Sequence, residues 1–212
     1  MLYIAEIFYS LQGEGPSIGK PTVFLRTAGC NLRCDWCDEP EALKVNKKNT
    51  LSAEQIVKQI ESFGVKHLDI TGGEPMLQQK DLREVLELLP DHYYVEVETN
   101  GSFAKESYEF IDHYNSSPKL SGSGNKPYEL ILKNFDKTWY KFVIDHQKDV
   151  EETLSFIERE GIPIHRVSFS PQSRTEEEAF EKSLWLMEIC KDLKITFAPR
   201  MHIYYWGNKK GT

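Results

Sequence analysis

The residues best suited to chemistry are Cys30, Cys34 and Cys37, three thiols spaced three and then two residues apart in Cys30-Asn31-Leu32-Arg33-Cys34-Asp35-Trp36-Cys37. Spacing this close lets three thiolates converge on one inorganic centre, and no fourth Cys or His stands nearby to close a tetrahedral zinc site. One coordination position stays open. An iron left open in a [4Fe-4S] cluster can take up a substrate or cofactor, whereas an electron-transfer ferredoxin fills every position with cysteine. A zinc knuckle with a remote fourth ligand, or chance clustering, are the bland alternatives. Cys190 ends the apolar series Phe180, Leu184, Met187 of an expected helix and reads as a small buried hydrophobe.

Further candidates fall at expected strand ends. In Thr71-Gly72-Gly73-Glu74-Pro75 the glycines let a ligand approach the backbone, and Glu74 can accept hydrogen bonds from a cationic amine, although such a tetrapeptide is more often only a turn. Glu96, Glu98 and Asn100 close the next strand and read as candidate ligand-facing groups at its rim, with a solvated strand end and an Asn-Gly turn as the alternative. Ser117-Pro118-Lys119 and Ser170-Pro171-Gln172 read as loop punctuation. The tail from Ala198 to Asn208 is rich in aromatics with polar tips beside Arg200 and His202, a composition suited either to a pocket for a flat heterocycle or to a terminal strand docked on the core.

The elements that position these residues alternate. Strands are expected at Tyr3 to Ser10, Thr22 to Thr27, His67 to Ile70, Tyr93 to Glu98, Trp139 to Ile144, Arg166 to Ser170 and Lys194 to Ala198. Helices are expected after the Ser52/Gln55 capping-box pattern as far as Gly64, over Leu82, Val85, Leu86 and Leu89, from Val150 to Glu160 and from Glu176 to Cys190, with a weaker one around Tyr108, Ile111 and Tyr114. Residues 116–123 read as a short strand or a plain linker. The second strand runs directly into Gly29-Cys30, so the thiols hang from a strand's C-terminal end, where parallel α/β folds place their sites. Alternation demands mostly parallel strands joined by right-handed crossovers. A closed eight-stranded barrel takes about 250 residues, so the expected architecture is an incomplete, laterally open (β/α) barrel of about six parallel strands with an N-terminal strand extension. A doubly wound sheet is the runner-up.

With 212 residues, 40% of them hydrophobic, the chain suits one domain over 1–212. A net charge of −7 without a basic block argues against nucleic acid as a partner. There is neither a long apolar run nor a charged-then-apolar leader, so a cytoplasmic location without membrane association is expected, and the clustered thiols are better read as reduced ligands than as disulfides.

The C-x3-C-x2-C pattern with Trp36 before its last Cys resembles the signature of the radical S-adenosylmethionine (SAM) superfamily, and the Gly-Gly-Glu-Pro stretch strengthens the likeness. Leu11-Gln12-Gly13-Glu14-Gly15, Phe24-Leu25-Arg26 before Gly29-Cys30-Asn31-Leu32, Cys37-Asp38, Glu98-Thr99-Asn100-Gly101, Ser117-Pro118-Lys119 and Pro199-Arg200-Met201-His202 through Trp206-Gly207 resemble, in order, the 7-carboxy-7-deazaguanine synthase family. The resemblance implies a partial barrel and a [4Fe-4S] cluster held by Cys30, Cys34 and Cys37, whose open iron chelates SAM and cleaves it to a 5′-deoxyadenosyl radical. It implies ring contraction of 6-carboxy-5,6,7,8-tetrahydropterin with loss of ammonia, SAM being regenerated, on the way to queuosine-type deazapurines. Trp36, Asp38, Gly73, Glu74, Asn100, Ser117, Lys119 and Gln172 would surround SAM. Leu11, Gln12, Gly13, Glu14, Arg26, Thr71, His202 and the terminal carboxylate of Thr212 would receive the pterin, and no side chain need be the main acid or base. The family usually has Thr or Ser after the Cys-Asp pair as a Mg²⁺ ligand. This chain has Glu39, itself a hard oxygen ligand that can keep Mg²⁺ as a cofactor. A reducing partner such as flavodoxin or ferredoxin is implied, and a homodimer is left open. The rivals are a glycyl-radical-enzyme activase, which would lack the Gln-Gly-Glu-Gly loop, and a non-enzymatic zinc module, which would lack acid-labile sulfide.

Overall fold

The fold was taken from a computed structural model, which describes residues 1–103, 108–207 and 209–211. Its frame is a nine-stranded sheet in the order β3-β1-β2-β4-β5-β6-β7-β8-β9. β1 (Leu2–Leu11) pairs antiparallel with β2 (Pro21–Thr27) and with the short β3 (Thr50–Leu51). From β2 onward the strands run parallel: β4 (His67–Gly72), β5 (Tyr94–Thr99), β6 (His113–Ser116), β7 (Thr138–Ile144), β8 (Val167–Pro171) and β9 (Thr196–Phe197). The order never reverses along the parallel strands. A doubly wound sheet must reverse at its switch point, so this is the open, singly wound arrangement with an antiparallel N-terminal extension.

Helices α1 (Ala53–Ser62), α2 (Gln79–Leu88), α3 (Gln147–Glu160) and α4 (Glu176–Leu193) cover the sheet, and α5 (Met201–Trp206) follows β9. The first starts for a local reason: the Ser52 hydroxyl accepts from Gln55 N while Gln55 reaches back to Ser52 N at 2.8 Å, an arrangement worth about 1 kcal/mol. Ile56, Val57 and Ile60 then face a core shared with Val23, Leu25, Leu68, Ile70, Val95 and Val97, while a second core under α3 and α4 gathers Tyr140, Phe142, Ile144, Val167, Phe169 and Leu186. Each fully buried aliphatic side chain in these layers contributes about 1.5–3 kcal/mol.

Strand side chains alternate between faces, so the opposite face is fixed by the same register, and it is polar. One row across it holds Phe24, Asp69, Glu96 and His113, and the row nearer the strands' C-terminal ends holds Arg26, Thr71, Glu98 and Asn115.

Four local expectations are corrected. The stretch around Tyr114 is a strand, and the described residues before it form a 3-10 turn at Tyr108–Phe110. Short spacing between Ile111 and Tyr114 mimics a helical period, but Tyr114 is drawn into the sheet, where it is fully buried. The tail forms the helix α5 rather than a docked strand, and the last strand shrinks to two residues because Lys194 takes a left-handed conformation as the C-cap of α4. On α4 the buried stripe is Ala179, Ser183, Leu186 and Cys190. Cys190 is buried as expected, but Phe180, Leu184 and Met187 are 57%, 52% and 38% exposed.

Candidate active site

A cavity of about 360 Å³ opens at the C-terminal ends of the strands, and its walls differ in construction. One is the cysteine loop. β2 delivers Thr27 to a tight crossing in which Gly29 N donates to Ala42 O at 2.7 Å and Glu74 N to Gly29 O at 2.9 Å. The Gly-Gly turn passes so close that a Cβ on Gly73 would be driven into the Gly29 carbonyl and Cys30, which is why no side chain is tolerated there. Asn100 Nδ2 donates to Asn31 Oδ1 at 2.9 Å, and Trp36 Nε1 to Gly122 O at 3.0 Å, fixing the loop from two sides.

Cys30, Cys34 and Cys37 are free thiols on this wall, each half-buried. Burial pushes the Cys30 and Cys37 thiols above their ordinary range, so bare thiolates are disfavoured and a cationic metal centre is what would hold them deprotonated. Their N–H donors fit a cluster's charged sulfurs, since Leu32 N lies 3.4 Å from Cys30 Sγ and Asn125 Nδ2 3.2 Å from Cys34 Sγ. Beside the thiols, Lys119 Nζ donates to Ser117 Oγ at 2.6 Å and stands 5.7 Å from the Trp36 ring centroid. Burial pushes its ammonium pKa down, against the pull of Cys34 and Asp38.

The opposite wall is an ion-pair network joining distant segments. Glu14 accepts from Arg200 Nε at 2.9 Å and pairs with Lys141, while Arg200 also reaches Ser173 O at 2.6 Å and the Asp38 carboxylate. Burial raises the cost of charge at Asp38, but the Arg200 guanidinium outweighs it and holds its carboxyl below the ordinary range. Burial, with Arg200 and Lys141, pushes His202 down to about 3, so its imidazole is neutral at physiological pH. Burial and Arg200 also push Lys141 down to about 7, a shift that the touching Glu14 carboxylate opposes. Gly13 lies against this imidazole so closely that a Cβ would collide with its Nδ1. Arg26 Nε donates to Glu6 at 2.7 Å and stands 3.8 Å from Glu39.

Beneath the cavity lies a buried floor. Gln12 Nε2 donates to both Asp69 Oδ2 at 2.7 Å and Glu96 Oε1 at 2.9 Å, and Gln12 Oε1 accepts from Glu14 N at 3.2 Å, so the floor carries the loop above it. Glu96 is flanked by His67 Nε2 at 3.1 Å and His113 Nε2 at 2.9 Å. Burial alone would raise its pKa, but His113, His67 and Gln12 together hold it down to about 2. Asp69 goes the other way: burial and the Glu98 and Glu96 charges push it well up.

The cavity thus brings together Cys30, Cys34, Trp36, Cys37, Asp38, Glu39, Gly73, Asn100, Ser117, Lys119 and Gln172 with Leu11, Gln12, Gly13, Glu14, Arg26, Thr71 and His202. Glu74 is corrected. Its carboxylate is turned inward at 1% exposure, accepting from Thr99 Oγ1 and Asn100 N, each at 2.7 Å, and from Met76 N at 3.0 Å, so it braces the turn instead of facing an amine. Glu96 is likewise corrected from the rim to the floor, because strand alternation puts it one row below Glu98. Thr212 lies outside the described residues. The tail's Arg200 lines the cavity, as its composition allowed, whereas sequence reasoning missed Lys141 and Asn115; for Lys141 the inward parity of β7 at Trp139, Lys141 and Val143 was the available signal.

A thiol triad at the open end of a singly wound parallel sheet defines a class, and the Radical SAM superfamily model matches residues 24–163. A 7-carboxy-7-deazaguanine synthase from Pyrobaculum aerophilum is 39% identical over 98% of this chain and 96% of its own length, and one from Aquifex aeolicus 36% identical over 95% and 92%. The chain belongs to the 7-carboxy-7-deazaguanine synthase family of radical SAM enzymes. The crystal structure of QueE from Escherichia coli superposes with a TM-score of 0.75 over 95% of this chain and 94% of that one; at 22% identity it speaks for the fold alone.

Proposed function

We propose that residues 1–212 form one radical SAM domain that converts 6-carboxy-5,6,7,8-tetrahydropterin to 7-carboxy-7-deazaguanine with loss of ammonia, in deazapurine biosynthesis. The observation that carries this reading is the two-walled cavity, with three thiols facing a charge-balanced Glu14–Lys141–Arg200–Asp38 network. Bound at Cys30, Cys34 and Cys37, a [4Fe-4S] cluster with SAM supplies the hydrogen-abstracting radical. The chain's own residues bind and orient. Lys119, Ser117, Asn100 and the Gly73 backbone receive SAM, with Trp36, Asp38 and Gln172 around it. The remaining acceptor capacity of Gln12 Oε1 and the Glu14 carboxylate meets the donors of the pterin's amino-pyrimidinone edge, neutral His202 offers a hydrogen bond without charge, and Arg26 holds the carboxylate bidentately, as a planar guanidinium can. Glu39, half-buried with its carboxyl pKa raised by burial against Arg26, supplies a hard oxygen for Mg²⁺ beside that carboxylate.

The reductant is a small electron-transfer protein of flavodoxin or ferredoxin type. The enzyme works in the cytoplasm without nucleic acid or membrane; no helix of the described residues is long and apolar enough to span a bilayer. The exposed Phe180, Leu184 and Met187 stripe supports a homodimer through α4. Sedimentation of Leu184→Glu should show monomer where the wild type shows dimer. Anaerobic incubation of the reconstituted protein with SAM, reductant and the carboxy-tetrahydropterin, read by mass, tests the reaction. The expected result is carboxy-deazaguanine with SAM conserved. Cleavage of SAM with the pterin untouched would refute the substrate.

A further inference from the structure

The segment 121–126, Ser-Gly-Ser-Gly-Asn-Lys, has the composition of a linker, yet it is pressed against the cysteine loop. Its 3-10 turn Ser121–Ser123 ends at Gly124, and Ser123 O accepts from Asp35 N at 3.0 Å. The next residue, Asn125, has its carboxamide orientation set by its partners. Oδ1 accepts from Arg33 N at 2.8 Å, and only an oxygen can meet that main-chain donor. The Ser123 hydroxyl spends its proton on Leu120 O at 2.6 Å and is left to accept, so Asn125 Nδ2 donates to Ser123 Oγ at 3.1 Å and to Cys34 Sγ at 3.2 Å.

The three thiols differ in this respect. Cys30 takes its N–H from Leu32 and Cys37 from Glu39, both main-chain groups of the cysteine loop that any sequence supplies. Cys34 takes its donor from a side chain 91 positions away. Reduction adds negative charge to an iron-sulfur cluster, and hydrogen bonds to its sulfurs stabilise that charge and raise the potential.

We propose that Asn125 is a positioning residue that sets the reduction potential of the cluster through its N–H bond to Cys34, a proposal that rests on the cluster being held by the three thiols. The bond ties potential to the placement of the 121–126 loop, which also receives Trp36 Nε1 through Gly122 O.

The test is a spectroelectrochemical titration of the reconstituted protein, followed by electron paramagnetic resonance, with iron and acid-labile sulfide measured on every sample. Asn125→Ala removes the donor; Asn125→Asp keeps an acceptor for Arg33 N and replaces the donor with a negative oxygen. Both should retain iron and sulfide, and both potentials should fall, Asp further than Ala. For Asn125→Ala the reduced-to-oxidised ratio at a fixed potential should drop about tenfold, which is about 59 mV for a one-electron couple. Potentials equal to wild type in both variants, a shift in Ala but none in Asp, or loss of iron and sulfide from both would overturn the proposal, the last by making Asn125 a structural brace. Wild-type protein that binds no iron and sulfide would instead overturn the cluster reading itself.

Discussion

The two walls of the cavity are built on different principles. The cysteine wall carries three half-exposed thiols within eight residues of sequence, on a loop set by main-chain hydrogen bonds and two glycines and braced from Asn100, Gly122 and Asn125. The opposite wall is assembled from side chains 127 and 186 positions apart, Lys141 and Arg200 both on Glu14, with Asp38 on Arg200 completing the charge balance. One wall therefore depends on backbone geometry and the other on charge balance. Damage to one should leave the other's task standing.

The largest expected effect is on the cysteine wall. Cys30→Ala, Cys34→Ala or Cys37→Ala removes one of three cluster anchors and should abolish SAM cleavage, with iron content lost in parallel. Cys190→Ala, in the core under α4, should retain it.

Next in size is Arg200→Met, which leaves Asp38 and one Glu14 oxygen without their shared cation. Breaking a buried ion pair on one side costs about 3–5 kcal/mol, and chemical denaturation should show a loss of that order.

The floor gives a smaller, pH-marked effect. Glu96 has a folded pKa of about 2 against an ordinary 4.5, so its contribution, about 3 kcal/mol, is complete above pH 4.5 and is lost as pH falls toward 2. Glu96→Gln should lower stability near neutrality by about that amount and flatten the acid limb of the stability curve over the same window. An unchanged acid limb would remove Glu96 as its source.

The difference between the walls also explains what the sequence disclosed. The thiol spacing, the Gly-Gly turn and the alternation of elements are local patterns, and each lies where the sequence puts it. Lys141 looks in sequence like any lysine on a strand, and its role depends on which strands become neighbours. Glu74 and Glu96 are carboxylates beside motifs, and only the register and the hydrogen bonds turn them inward. The apolar period of α4 was legible, but helical spacing gives several apolar stripes when Phe180, Leu184 and Met187 alternate with Leu186 and Cys190. Packing against β8 selects the second.

The smallest expected effect concerns the metal. Glu39→Thr should shift the preference among divalent ions while leaving SAM cleavage without substrate intact, because the change touches neither the thiols nor Lys119. Turnover indifferent to exhaustive chelation would remove Mg²⁺ from the account.

The separation of the two walls is tested most directly by measuring pterin affinity and substrate-free SAM cleavage on both Arg26→Lys and Lys119→Met. The account predicts a crossed result. Arg26→Lys loses about tenfold in pterin affinity, as expected for one charge-assisted hydrogen bond of about 1.5–3 kcal/mol, and still cleaves SAM. Lys119→Met loses cleavage and still binds the pterin. Parallel loss of both properties in both variants would contradict it.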